Sequence, residues 1–269
     1  MSIPGAITSA DLQQRLGAFP PPILIDVRRQ PAFDADPVVI PRAVRRAPEA
    51  IAEWARDLEP WRAVVVYCVH GYEVSQKAAT FLRQTGVAAH ALNGGIEDWR
   101  ARGGATVPYT PPSRWVTRER PKIDRIACPW LIRRFLDPAA EFSYVPAQDV
   151  RAFAAANGAT AYDVPDVTYS HVGADCSFDA FIRLHELAHP ALATLAAIVR
   201  GADTSAPHLA PQAPGLLATS LGLSAMFADD HAMLKWGMLV YDSLYAWCRE
   251  AQTETHSWYP EKLRAQETA

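Results

Sequence analysis

The chain has 269 residues, 49% hydrophobic and 20% charged, enough for two ordinary domains that each bury a core. A net charge of -3 excludes general nucleic-acid binding, which needs a basic surface to release counterions, and no apolar run of about 18 residues is present to span a membrane. The cysteines at 68, 128, 176 and 248 include no C-x-x-C pair, which excludes a disulfide framework or zinc ribbon and fits a reducing cytoplasm. Met1-Ser2-Ile3-Pro4-Gly5 lacks a basic patch followed by an apolar core, so no signal peptide is expected.

Thr8 is the expected N-cap of a helix running to about Leu16, stopped by Pro20-Pro21-Pro22. Ile23-Leu24-Ile25-Asp26-Val27-Arg28 is a short apolar run bounded by prolines, hence a buried strand with its polar residues at the end. Ile51, Trp54, Ala55 and Leu58 recur at helical spacing within 49–58. Val64-Val65-Val66-Tyr67 is a second buried strand. It runs into Cys68, a Gly-containing loop and a helix expected over 76–85. A thiol between a strand end and a helix N-terminus sits among converging backbone N–H groups and the positive end of a helix dipole, which stabilise a thiolate. The same position also suits a buried structural cysteine. A strand over 87–92, the turn Asn93-Gly94-Gly95 and a short helix from Ile96 complete a strand–helix alternation. That alternation predicts a parallel α/β sheet, whose ligand sites lie beyond the C-terminal strand ends, where Cys68 stands.

Leu24-Ile25-Asp26-Val27-Arg28, Cys68-Val69-His70-Gly71 and Gly94-Gly95-Ile96-Glu97-Asp98-Trp99, in this order and at these distances, make residues 8 to about 105 resemble a rhodanese domain. The resemblance implies that Cys68 is the nucleophile and carries a sulfane sulfur as a persulfide. Loop residues Val69, His70, Gly71, Tyr72, Glu73 and Val74, with Asp26 and Arg28, would form the substrate site. A small-molecule sulfur donor and a thiol acceptor would be the partners. Two positions depart from the family pattern. Glu73 stands where an Arg is frequent and would repel an anionic donor such as thiosulfate. Val38-Val39-Ile40-Pro41-Arg42-Ala43 lacks the usual Gly-His.

Gly103-Gly104, Pro108 and Pro111-Pro112 mark a connection, dividing the chain into a rhodanese-like domain (1–106), a linker (107–113) and a C-terminal domain (114–269). Arg114 to Arg118 reads as a strand. Asp124 to Phe135 reads as a helix interrupted at Pro129, which would place Cys128 at an N-cap. Glu141 to Val145 is a strand and 147–157 a helix. Tyr162 to Ser170 is extended, and His171 and Cys176 flank a Gly turn. Residues 192–199 are helical before a turn at Gly201-Ala202-Asp203-Thr204. Further helices are expected within 213–223 and from Asp229-Asp230-His231 through Trp247, so this domain is mostly helical α+β. His185-Glu186-Leu187-Ala188-His189 matches H-E-x-x-H literally, but Pro190 places a helix boundary at His189 and disfavours a zincin.

Trp115-Val116-Thr117-Arg118, the run from Asp124 to Phe135, His171 to Phe178, Ile198 to Asp203, and Asp229 to His231 with Tyr241 to Tyr245 resemble the C-terminal domain of bacterial ChrB-type chromate-resistance proteins. Among the polar positions of these segments, His171, Cys176, Asp203 and His231 suit a transition metal such as iron, manganese or zinc. Arg125, Arg133 and Arg134 beside the thiol of Cys128 suit chromate or another oxyanion. The expected function is a Cys68 sulfurtransferase fused to a chromate-resistance-associated domain, its persulfide either passing sulfur to Cys128 or Cys176 or acting on a ligand bound in that domain. The alternative is a non-catalytic oxyanion- or metal-binding module on a degenerate rhodanese fold. The oligomeric state is open.

Overall fold

A computed structural model describes residues 5–254. Residues 1–4, read above for a signal peptide, and 255–269, assigned to the second domain, lie outside the described residues.

The N-terminal half comprises β1 (Ala6–Ile7), α1 (Ser9–Leu16), β2 (Ile23–Asp26), α2 (Gln30–Asp34), β3 (Val38–Val39), β4 (Val44–Arg45), α3 (Ile51–Trp54), β5 (Val64–Tyr67), α4 (Glu73–Gln84), β6 (Ala89–Leu92) and α5 (Gly95–Ala101). Five strands form a parallel sheet in the order β1-β6-β5-β2-β4. Strand β5 lies in the middle, where Val64, Val65 and Val66 are buried on both faces. A strand covered on both sides reads as a continuous apolar run, which is the pattern seen in the sequence. One side of the sheet packs Val64 and Val66 against Ala78, Ala79 and Leu82 of α4. The other packs Val65 and Tyr67 against Leu12, Ile96 and Trp99. Thr8 and Asp11 cap α1 reciprocally.

Helix α4 begins at Glu73, three residues before the expected Gln76. Next in the chain is β7 (Val107–Pro108), which pairs antiparallel with β3, so the first residues of the connection belong to a small two-stranded sheet.

The C-terminal half comprises β8 (Arg114–Arg118), α6 (Asp124–Leu131), β9 (Glu141–Val145), α7 (Val150–Asn157), β10 (Thr160–Ala161), α8 (Ser177–Leu184), α9 (Pro190–Asp203), α10 (Ala213–Met226) and α11 (Asp230–Ala246). The strands form a parallel sheet in the order β10-β8-β9. The core gathers Trp130, Phe178, Phe181, Leu195, Met238 and Tyr241 from α6, α8, α9 and α11.

Three sequence expectations are corrected here. Pro129 lies inside α6, so Cys128 is not an N-cap residue but the fifth residue of a helix. Proline at 129 cannot donate to the Arg125 carbonyl. The Tyr162 hydroxyl donates to that carbonyl instead, at 3.4 Å, and a π-helical turn follows at Ile132–Leu136. Gly201 to Asp203 do not turn the chain; they form the last turn of α9. Tyr162 to Ser170 is a bent loop closed by a bridge between Tyr162 and Tyr169, with Asp163 and Asp166 at positive φ. No helix of the described residues is long and apolar enough to cross a membrane.

Candidate functional site

Cys68 follows β5 directly and is 7% exposed. Its Sγ lies 3.2 Å from Ser75 Oγ on the first turn of α4. The loop from Cys68 to Tyr72 is held by its carbonyl groups. Those of Cys68 and Val69 accept from the N–H groups of Ile96 and Glu97 at 3.0 and 3.2 Å. The Gly71 carbonyl accepts from Gln76 Nε2 at 2.9 Å, and the Tyr72 carbonyl from Gln76 N at 3.0 Å. Among the described residues, the N–H groups of Val69 to Ser75 have no protein acceptor. Those of Glu73, Val74 and Ser75 are first-turn donors with no partner inside the helix. A thiolate, persulfide or small anion placed at this strand end meets a concentration of free donors.

Glycine is required at both contact points of the loop. A Cβ on Gly95 (φ +60°) would lie 2.4 Å from the carbonyl oxygens of Cys68 and Val69, and one on Gly71 (φ +72°) 2.5 Å from Leu92 O and Gly94 N. The two Gly-containing motifs are therefore the two halves of one backbone contact, and only residues without a Cβ allow it.

Around the loop, His70 is exposed and pairs with Glu97 at 2.8 Å, while Tyr72 is exposed beside it. Glu73 pairs with Lys77 at 2.6 Å. That hydrogen bond, with the Lys77 and Arg29 charges, holds the Glu73 carboxyl below its ordinary value. The repulsion expected of Glu73 toward an anion is thus partly offset by its own partner. Asp26 and Arg28 do not form part of an open site. Both are buried, paired to each other, and Arg28 donates to the carbonyls of Asp36 and Val38. They pin the 36–38 segment to the sheet, and a ligand could reach neither without unfolding it.

In the second domain, four side chains from separate segments converge. His171 Nε2 lies 3.5 Å from Asp124 Oδ2, 3.3 Å from Asp163 Oδ1 and 3.2 Å from Asp203 Oδ2. The hydrogen bond to Asp163 and the other two charges, against burial, hold the imidazole pKa at about 9. Burial, with the charges of Asp203 and Asp163, pushes the Asp124 carboxyl up. Asp163 also accepts from Ser177 Oγ at 2.8 Å and faces Arg118 and Arg125, each at 3.3 Å.

His171 and Asp203 thus come together as read from the sequence, but the other two expected ligands do not join them. The Cys176 thiol contacts Asp179 Oδ2 at 3.3 Å, is buried, and is pushed up by that burial. His231 packs on Tyr144, ring centroids 5.5 Å apart, and lines a different cleft. Asp124 and Asp163 take their places. Asp124 belonged to a recognised segment. Asp163 gave no signal in sequence, because it is a single acid in an irregular loop held at φ +51°.

The expected oxyanion set is also dispersed. Cys128 is buried inside α6, where burial and the Asp124 and Asp163 charges push its thiol far up, so it is neither a thiolate nor a sulfur acceptor in this conformation. The same burial removes Cys176 as an acceptor. Arg125 is committed to Asp163, and Arg134 to Glu59 and Asp242. Arg133 donates to the Ala140 carbonyl and stacks on Phe142. Arg133 and Arg134 line a cleft of about 560 Å³ between the halves of the chain, with Arg42, Arg46 and Arg62. In the H-E-x-x-H segment, α8 ends before His185, whose Nε2 meets the Tyr169 hydroxyl at 3.1 Å. His189 caps α9, so the two imidazoles belong to different elements and do not share a helix face.

Comparison with known proteins matches both halves. A family model for the rhodanese-like domain fits residues 8–102, and one for the ChrB C-terminal domain fits residues 115–248. Protein ChrB of Cupriavidus metallidurans is 34% identical over 133 residues, spanning 49% of this chain and 40% of that relative's length. Thiosulfate sulfurtransferase GlpE of Pseudomonas syringae pv. syringae is 35% identical over 79 residues, spanning 29% of this chain and 72% of the relative. Among solved structures, a rhodanese-related protein from Thermoplasma volcanium is 27% identical, with 38% of this chain and 96% of that chain covered and a TM-score of 0.34. The Alr3790 protein from Anabaena sp. is 28% identical, with 38% and 80% covered and a TM-score of 0.35. The chain therefore belongs to the rhodanese-like family through its first half and to the ChrB C-terminal domain family through its second.

Proposed function

We propose that this protein is a sulfurtransferase that carries sulfane sulfur as a persulfide on Cys68. The observation that supports it most is the loop after β5, in which the carbonyls are tied back, the N–H groups of Val69 to Ser75 have no acceptor among the described residues, and Sγ lies 3.2 Å from Ser75 Oγ. In the first step the Cys68 thiolate attacks the outer sulfur of a donor such as thiosulfate. An S–S bond forms on Cys68, and sulfite leaves with the electron pair of the broken bond. In the second, an acceptor thiolate attacks the outer persulfide sulfur and Cys68 leaves as a thiolate. Free donors stabilise the negative charge on the outer sulfur in the persulfide. With Cys128 and Cys176 buried, the acceptor is a separate small thiol. The resemblance of the second half to ChrB-type proteins supports a role for this chemistry in chromate resistance.

The test is intact mass after incubation with thiosulfate, beside Cys68→Ser. The reading requires a gain of one sulfur atom, lost on adding a thiol and absent from the variant. No gain from thiosulfate or from a polysulfide donor sinks it.

A second reading, an oxyanion-binding module, draws on the interdomain cleft. Arg42, Arg46 and Arg133 line it, and none of them is ion-paired to a carboxylate among the described residues. An unpaired guanidinium beside a cavity suits a tetrahedral dianion of the chromate or sulfate class. If so, sulfate raises the unfolding temperature of the protein but not that of Arg133→Gln. Equal shifts in both would remove the cleft from consideration.

A further inference from the structure

We infer that Asp124, Asp163 and His171, with Asp203 beside them, form a binding site for one hard divalent cation of the manganese(II) or iron(II) class. The four residues come from the first position of α6, the loop after β10, the loop before α8 and the last position of α9. Donors bound to one ion at about 2.1 Å lie about 3.0 Å apart at right angles and about 3.4 Å apart at tetrahedral angles. The Asp124 and Asp163 oxygens stand 3.5 and 3.3 Å from His171 Nε2, close to that range, and ligand atoms of these three residues all lie within 4.8 Å of one another. Asp203 Oδ2 is 3.2 Å from the same nitrogen but lies outside that mutual grouping, beside the site.

A proton on His171 does not account for the arrangement equally well. One ring N–H donates well to one oxygen, and here three are gathered around it. A separate observation concerns Asp124. Its residue is 1% exposed, its carboxylate is directed at the His171 ring through Oδ2, and its Oδ1 is buried with no hydrogen-bond partner among the described residues. A buried carboxylate oxygen without a donor is costly, and a cation shared with the neighbouring ligands would satisfy it.

The surroundings hold the ligands in place. The Ser177 N–H donates to Asp124 Oδ2 at 2.6 Å and the Ser177 hydroxyl to Asp163 Oδ1 at 2.8 Å, so one residue orients two carboxylates. Arg118 and Arg125 form their ion pairs with Asp163, and neither is within ion-pair distance of Asp124 or Asp203. Outer partners of this kind fix ligand orientation in metal centres. His171 is 41% exposed, which provides an entry path. Two carboxylates and one imidazole, with a third carboxylate beside them and no thiolate, favour manganese(II) or iron(II) over softer ions.

The test uses the full chain, stripped with a chelator and titrated with manganese(II), reading free aquo-manganese by its electron paramagnetic resonance signal. The expected result is one ion per chain. Binding weakens about 100-fold or more in His171→Ala, and about tenfold in Asp203→Asn, which removes a neighbouring charge and a partner of His171. Both changed residues are partly exposed, so these variants should fold, and circular dichroism verifies it. Binding is unchanged in His185→Ala, which lies outside the cluster. Three results overturn the inference: no uptake of manganese(II) or iron(II), uptake unchanged in both cluster variants, or uptake of zinc alone.

Discussion

Arg134 Nη2 donates to Glu59 Oε2 at 2.7 Å, joining the π-turn after α6 to the loop before β5 across the two halves of the chain. The same guanidinium meets both oxygens of Asp242 on α11 at 2.8 Å, and Arg62 adds a bond to Glu59 at 3.1 Å. The indole N–H groups of Trp61 and Trp130 also donate to Asp242. All three charged groups of the Arg134 cluster are nearly inaccessible to water. The rhodanese-like half and the ChrB half therefore share a buried ionic core.

Removing Arg134 leaves Asp242 without its charged partner in that core and Glu59 with Arg62 alone. A buried ion pair broken from one side costs roughly 3–5 kcal/mol. We expect Arg134→Ala to lose about that much in unfolding free energy, measured by chemical denaturation. A loss below about 1 kcal/mol would mean that water reaches the carboxylates once the side chain is gone.

The same cluster gives a pH dependence. Burial raises the Asp242 pKa, but the hydrogen bond and charge of Arg134, with both indoles, outweigh it and hold the value below 3.8. A carboxyl depressed in the folded state contributes stability above its unfolded pKa and loses it as the pH falls through the folded one. The stability difference between the native protein and Asp242→Asn should be constant from about pH 7 to 5 and shrink below about pH 4. A difference that stays flat to about pH 3 would contradict the linkage.

Glu73 stands on the first turn of α4, directly after the Cys68 loop. Replacing it with Arg reverses an exposed charge on the first turn of α4. Sulfur transfer from thiosulfate should rise by about tenfold at low ionic strength, and the gain should shrink with added salt. An uncharged sulfane-sulfur donor such as an organic trisulfide should show little change. Equal effects on both donors would mean that Glu73 acts through loop conformation and not through charge.

Gly95→Ala tests whether the two glycine motifs work as one contact. Its Cβ would press on the Cys68 and Val69 carbonyls, at a cost of about 2–3 kcal/mol in backbone and steric strain. The loop would have to move away from the α5 N-terminus, so persulfide formation should fall more steeply than stability. A variant with wild-type transfer rates would show that the loop does not need this closure.

Periodicity and turn chemistry made much of the first domain readable. Val64 to Tyr67 is apolar on both sides because β5 is the central strand, and Gly94-Gly95 marks a turn because the backbone there needs positive φ. In the second domain the same reasoning misjudged Pro129 and Gly201. A proline is tolerated inside α6 because Tyr162, 33 positions later, supplies a hydroxyl to the carbonyl it leaves free. Gly201 lies within α9 as a close-packing glycine, because Ala213 and Ala206 crowd the space a side chain would occupy.

The candidate sites divide along the same line. Cys68 and its loop are contiguous in the chain, and local patterns in the residues alone located them: a buried strand, a thiol at its end, a helix start. The cluster of Asp124, Asp163, His171 and Asp203 spans segments with no common local pattern. Only the packing of α6, α8 and α9 brought it together, and that packing also removed Cys176 and His231 from it. The burial of Cys128, and the commitment of Arg125 and Arg134 to carboxylates, were likewise set by tertiary contacts. Secondary structure and a strand-end thiol follow from short-range sterics and polarity, which the order of residues carries directly. Which ionisable groups face one another depends on how the helices dock, and that is decided by side-chain packing over the whole domain.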